Sequence, residues 1–120
     1  MPKKKESIRK RIKRKTQALR REIVSKDLLA RGTIHTRRRV CGKKSCRCAT
    51  DPDRWHGPYH EWSRIKDGRL AHTNLSPEQA ELMGAAIANF RQVEQLLEQW
   101  MGETVEAVLT LPKRNVKKDN

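Results

Sequence analysis

Cys41, Cys46, Cys48 and His56 form the pattern C-x4-C-x-C-x7-H, three thiols and an imidazole within sixteen residues. Three thiolates and one neutral imidazole are the donor set of a closed tetrahedral zinc site. A short chain with few large apolar side chains gains from such a cross-link, because metal binding contributes directly to folding. Lys43, Lys44 and Arg47 stand among these residues and favour the thiolate form that a metal requires. The spacing lacks the paired C-x2-C knuckles of ordinary zinc fingers, and C-x-C is a tight bite for one ion. Two other readings therefore stay open. The cysteines could be plain reduced residues of a tight loop, with His56 set by the Gly57-Pro58 turn, or one of them a reactive thiol among cations. His35, His60 and His72 are further imidazoles able to replace His56 as a ligand. Gly42-Lys43-Lys44-Ser45 is not a phosphate loop, since the earlier glycine is missing and Lys44 stands where Ser or Thr is needed.

The charge around this cluster is lopsided. The 120 residues carry 28 Lys/Arg and 14 Asp/Glu, a net charge of +14. Residues 1–49 hold 19 basic against 3 acidic side chains, whereas residues 76–111 hold Arg91 against 6 acidic ones. A polyanion is thus met by the first half of the chain. Two basic clusters offer phosphate contacts: Lys3 to Lys15, including Lys10, Arg11, Lys13, Arg14 and Lys15, and Arg37, Arg38 and Arg39 continued by Lys43, Lys44 and Arg47. Counterion release would dominate the affinity of both. The second cluster falls on an expected strand and a constrained loop, where arginines are held in place. DNA is expected ahead of RNA, because five aromatic residues give no stacking platform and Trp55, Tyr59 and Trp62 are expected in the core. No carboxylate pair sits in a recognisable site and the chain is short for a water-excluding pocket, so an enzyme is not expected. No run nears the roughly 18 apolar residues of a membrane span, and Met1-Pro2-Lys3-Lys4-Lys5 lacks the apolar stretch of a secretion signal. The expected setting is cytoplasmic and nucleoid-associated, with no membrane partner.

Three segments must position these residues: a basic N-terminal helix or arm over 1–31, a compact α+β domain over 32–111 with the Cys/His loop at 41–56, and a disordered basic tail over 112–120. Ile8, Ile12, Leu19 and Ile23, with Thr16 filling the gap, predict one basic helix from Glu6 to Arg31 that Gly32 ends. Residues 33–40 alternate β-branched and long polar side chains, as a strand does. Tyr59 to Lys66 and Arg69 to Leu75 flank Asp67-Gly68, a two-residue hairpin turn that sets Trp62 opposite Thr73 and Ile65 opposite Leu70 on the other face. Either face could meet the core. Ser76, Pro77 and Gln79 make a capping box for a long helix whose seam is Met83, Ala86, Phe90, Val93, Leu97 and Trp100. Gly102 is expected to end or kink it, with a further short helix over 103–111. Through Met83, Phe90, Val93, Leu97 and Trp100 that helix would lie on the sheet or pair with a second copy or a transposase-type partner.

Gly32-Thr33-Ile34, Cys41-Gly42-Lys43, Cys46-Arg47-Cys48-Ala49, His56-Gly57-Pro58-Tyr59 and Asp67-Gly68-Arg69 together resemble a widespread uncharacterised prokaryotic family often encountered near transposable elements, over about residues 28–100. The resemblance implies a mobile-element context and no established activity. Lys44-Ser45 departs from it, a Pro being expected in that loop. The order of strand, hairpin and helix also resembles the three-stranded arm-binding domains of phage and transposon integrases, whose sheet enters the DNA major groove; that likeness is one of topology. The combined expectation is a small basic DNA-binding accessory or regulatory factor with structural zinc. Its rival is a protein adaptor that recruits a partner through the C-terminal helix.

Overall fold

The computed structural model describes residues 6–113. It is an α+β fold: α1 (Ile8–Lys15), α2 (Gln17–Val24), β1 (Thr33–Arg39), β2 (His56–Lys66), β3 (Arg69–Leu75) and α3 (Pro77–Leu109). The strands form one antiparallel sheet in the order β1-β2-β3. Lys3 to Lys5 of the first basic cluster, and the expected tail from residue 114 onward, lie outside the described residues. Among the described residues, no helix is long and apolar enough to cross a membrane. The chain divides into two compact units, one running from Asp27 to Arg91 and the other joining the segment up to Lys26 with the segment from Gln92 on.

The first of these holds the sheet and the Cys/His loop. Asp67 and Gly68 both take positive φ, 52° and 78°, as the two-residue turn demands. The register follows from that turn: Trp62 pairs with Thr73 and Ile65 with Leu70. Of the two faces, the one bearing Trp62 and its β1 partner Ile34 is covered, while Ile65 and Leu70 are exposed. Trp62 is half-buried and its Nε1–H donates to the Arg31 carbonyl at 2.9 Å. The segment before β1 is tied in turn to α3, with the Ala30 amide donating to the Ala86 carbonyl at 3.3 Å and Asn89 Nδ2 to the Leu28 carbonyl at 3.0 Å. Gly32 is not a helix cap. At φ 121° it passes so close to β2 that a Cβ would stand 2.5 Å from both the Ser63 carbonyl oxygen and Trp62 Nε1.

In the other unit the basic helix is present as two short helices, not one. Thr16 separates them, fully buried, its hydroxyl donating to the Ile12 carbonyl at 2.7 Å and accepting from Arg20 Nε at 3.3 Å. A hydroxyl bonded back to the i−4 carbonyl bends a helix, which explains the break where a simple gap-filling residue was expected. The helix also stops at Val24, well short of Arg31. α3 opens on the expected reciprocal cap: the Gln79 amide donates to Ser76 Oγ at 3.1 Å and the Ser76 amide to Gln79 Oε1 at 2.9 Å. It runs unbroken through Gly102 to Leu109. One exposed glycine costs a helix about 1 kcal/mol, and buried Val93, Leu96 and Ala107 anchor the helix on both sides of it.

Candidate metal centre and basic loop

The loop between β1 and β2 is built from tight turns. Gly42 takes φ 85°, the Cys46 amide closes a turn on the Lys43 carbonyl at 3.1 Å, and a 3-10 turn over Arg47–Ala49 follows. That turn resolves the short C-x-C bite, because extended Cys46 and helical Cys48 point their sulfurs to one side. A second 3-10 turn, Pro52–Arg54, is capped by the Asp51 carboxylate, which accepts from the Asp53 amide at 3.0 Å, and it delivers the chain to His56.

His56 reaches the cysteines because β2 carries one extra residue. Arg37 pairs with Tyr59, but Arg39 pairs with His56, so the register shifts between them. A one-residue bulge reverses side-chain alternation. His56 thereby shares a face with Tyr59 and Arg37, opposite to that of His60 and Trp62. Gly57 at φ 121° makes the bulge possible: a Cβ there would stand 2.9 Å from the Tyr59 nitrogen and 3.0 Å from the Arg37 carbonyl oxygen.

The result is a converging donor set. Cys41 Sγ, Cys46 Sγ, Cys48 Sγ and a His56 ring nitrogen all lie within 4.8 Å of one another. Cys41 and Cys48 sulfurs are 3.5 Å apart, and Cys46 Sγ is 3.2 Å from His56 Nε2. A tetrahedron with metal–sulfur bonds of about 2.3 Å has edges of about 3.8 Å, and the donor separations here, from 3.2 Å to no more than 4.8 Å, bracket that edge. These residues are positioned to hold a metal ion. The Cys41 amide also donates to Cys48 Sγ at 3.4 Å, a bond that orients a thiolate ligand. His35, His60 and His72 lie on the strands and outside the four-donor cluster: His60 Nδ1 meets Thr36 Oγ1 at 2.9 Å and His72 Nδ1 meets Ser63 Oγ at 2.8 Å.

Hydrogen bonding separates the thiols. The Cys48 amide, then the His56 ring and the Cys48 side chain, stabilise the Cys46 thiolate and pull its pKa from 9.0 to about 6. Cys48 goes the other way. The Cys41 amide lowers its pKa, but burial and the neighbouring Cys46 and Cys41 sulfurs outweigh that pull and raise it.

The family model for a domain of unknown function, DUF6788, matches residues 5–84. The chain belongs to the DUF6788 family. No curated protein and no solved structure matches the chain. The DUF6788 segment contains all four candidate ligands, the second basic cluster and the first from Lys5 onward, while Phe90, Val93, Leu97 and Trp100 lie beyond it.

Within the DUF6788 segment the basic residues divide by what they touch. Arg37 pairs with Glu61 at 3.1 Å, and Arg39 stacks its guanidinium 4.7 Å from the centre of the Tyr59 ring. Arg38 Nη2 donates to the carbonyls of Asp53 and Trp55 at 3.1 and 2.7 Å, which makes it a clamp on the loop. Lys43, Lys44 and Arg47 are exposed and form no ion pair with any described residue. On α1, Arg14 pairs with Glu6 at 2.9 Å and Lys15 with Glu103 at 3.7 Å, whereas Lys10 and Lys13 are exposed and Arg11 half-buried. Trp55, expected in the core, is 40% exposed on the loop.

Sequence reasoning passed over a polar cluster on the open face of the sheet. Glu61 accepts from Arg37 and stands 3.4 Å from His72 Nδ1, the same nitrogen that meets Ser63. The Asp67-Gly68 turn alone places Ser63 opposite His72, so the signal was present. Ser63 and Glu61 share one ring nitrogen of His72, whereas a relay from carboxylate through imidazole to hydroxyl needs both.

Of the expected seam on α3, Val93 is buried within the chain, Met83, Phe90 and Trp100 are half-buried, and Leu97 is 38% exposed. The Arg31 guanidinium covers Phe90 at 4.9 Å from the ring centre.

Proposed function

We propose that this chain is a small DNA-binding protein whose recognition loop is stapled by structural zinc. Three thiolates and an imidazole in a closed four-ligand set favour zinc over the harder divalent cations. The observation that carries the DNA reading is the trio Lys43, Lys44 and Arg47, exposed and free of ion pairs with described residues, on the loop whose shape the four ligands fix. Cations held on a rigid loop contact phosphates without the ordering entropy that a flexible basic tail incurs. Arg37 and Arg39 extend this surface along β1, and Lys10 and Lys13 add sequence-independent affinity. A binding role suits the sheet face better than catalysis, since its Ser63, His72 and Glu61 lack relay geometry. An accessory or regulatory role on a mobile element follows from the resemblance of the linked C-G-K-x-x-C-x-C and H-G-P-Y blocks.

Fluorescence anisotropy on a labelled random-sequence duplex, titrated at several salt concentrations, tests the proposal. The zinc-loaded chain binds with a steep salt dependence. In K43A/K44A/R47A the logarithmic slope falls by roughly 2–3, at about 0.9 per phosphate contact. No binding at low salt, or an unchanged slope in the triple variant, overturns it.

A further inference from the structure

The three thiols differ in their surroundings, and the difference pairs two of them. Cys41 is exposed and Cys48 is buried, yet their sulfurs are 3.5 Å apart. The Cys41 amide donates to that same Cys48 sulfur at 3.4 Å, so the backbone holds the two residues together independently of any ion. Cys46 Sγ is turned instead to the ring of His56, 3.2 Å away. A disulfide needs sulfurs about 2.05 Å apart and a dihedral of about 85–100°. The Cys41 end can supply the closing movement, because Gly42 beside it stands in open space. A bridge from Cys46 to Cys48 would have to turn that dihedral across the single residue Arg47.

We propose, building on the zinc reading above, that the cluster is a redox switch: hydrogen peroxide joins Cys41 to Cys48, and the loop gives up its metal. The exposed Cys41 thiolate attacks one peroxide oxygen; an S–O bond forms, the O–O bond breaks and hydroxide leaves. Cys48 Sγ then attacks the sulfenic sulfur; the S–S bond forms, the S–O bond breaks and a second hydroxide leaves. Two thiolates have lost two electrons, and the peroxide has gained them. Burial makes Cys48 the resolving thiol and not the target, and its nearness stops Cys41 short of the irreversible sulfinic stage. Only Cys46 and His56 remain as donors, too few for a closed tetrahedral site. Lys43, Lys44 and Arg47 all lie between the bridged residues, so the switch acts on the loop that carries the unpaired cations.

Trypsin reads the pairing directly. Cleavage after Arg39, Lys43, Lys44, Arg47 and Arg54 leaves Cys41, Cys46 and Cys48 on three separate peptides. The full zinc-loaded chain is treated with hydrogen peroxide while a chromophoric indicator follows free zinc, then blocked with iodoacetamide and digested without reductant for mass spectrometry. The expected result is the 40–43 peptide linked to the 48–54 peptide, Cys46 alkylated, and zinc released in step with the bridge. Dithiothreitol and fresh zinc restore the loaded chain. A bridge that includes Cys46, sulfonic acid at Cys41 with no bridge, or zinc retained after the bridge has formed overturns the proposal alone. A chain that carries no zinc before peroxide is added overturns the zinc reading, and the switch with it.

Discussion

Arg38 Nη2 lies 2.7 Å from the carbonyl oxygen of Trp55, the residue directly before His56. One guanidinium on β1 thus fixes the backbone that presents the fourth candidate ligand. Groups that orient a metal ligand without touching the ion typically change affinity by about 10–100-fold when removed. R38A is expected to weaken zinc affinity by about tenfold in a competition titration with a chromophoric chelator, and K44A to leave it unchanged. Equal losses in the two variants would assign Arg38 to general electrostatics.

The four-ligand set predicts a large effect of metal removal. Taking zinc away with a chelator is expected to lower the melting temperature and to expose the loop to proteolysis between Gly42 and Arg54, because ligation and loop folding are coupled. C46S abolishes stoichiometric zinc while retaining the far-ultraviolet signature of α3. Identical melting with and without chelator would remove the metal from the account.

The separated thiols predict a labelling order. In the metal-free chain, Cys46 is alkylated by iodoacetamide with a rate that rises to a midpoint at about pH 6, while buried Cys48 stays unmodified; zinc protects both. Mass spectrometry of peptides labelled between pH 5 and 8 measures this. The sign for stability follows from the lowered value: the contribution of the Cys46 thiolate is full above 9.0 and is lost as the pH falls through about 6.

Gly57 carries the bulge, and G57A is expected to cost about 2 kcal/mol or more in chemical denaturation, from a positive φ and contact with backbone on both sides. Gly42 also has positive φ but open space around it, so G42A costs about 1 kcal/mol and only the strain of φ. The ordering of the two variants is the decisive result.

Local chemistry made the hairpin and the start of α3 legible. Asp67-Gly68 dictates one turn, and the turn dictates every pair from Lys66↔Arg69 to His60↔Leu75. Ser76-Pro77-Glu78-Gln79 likewise names its own hydrogen bonds. The cysteines and His56 were legible as a set because soft donors at short spacing have few other uses. What escaped was set by the tertiary structure. Thr16 reads as a polar interruption, and only its complete burial turns it into a helix break. Gly32 looks like a helix stop until Trp62 is packed against it. On α3, Leu96 and Leu97 are chemically identical neighbours, and the pattern cannot say that Leu96 is buried and Leu97 exposed. Trp55 was expected inside on its chemistry, yet it sits on a loop held by ligands and by Arg38, where no core exists to receive it.

The extra residue in β2 also governs how the chain tolerates changes of length. At Gly42 the backbone turns in open space, while the Cys46 amide closes the next turn on the Lys43 carbonyl at 3.1 Å and sets the length of that segment. Between His56 and His60 the count is fixed. Deleting one residue would restore strict alternation and aim the imidazole at the opposite face of the sheet, away from the three sulfurs, while leaving every ligand still in the sequence. A chain shortened there would keep the whole Cys/His pattern and lose the site.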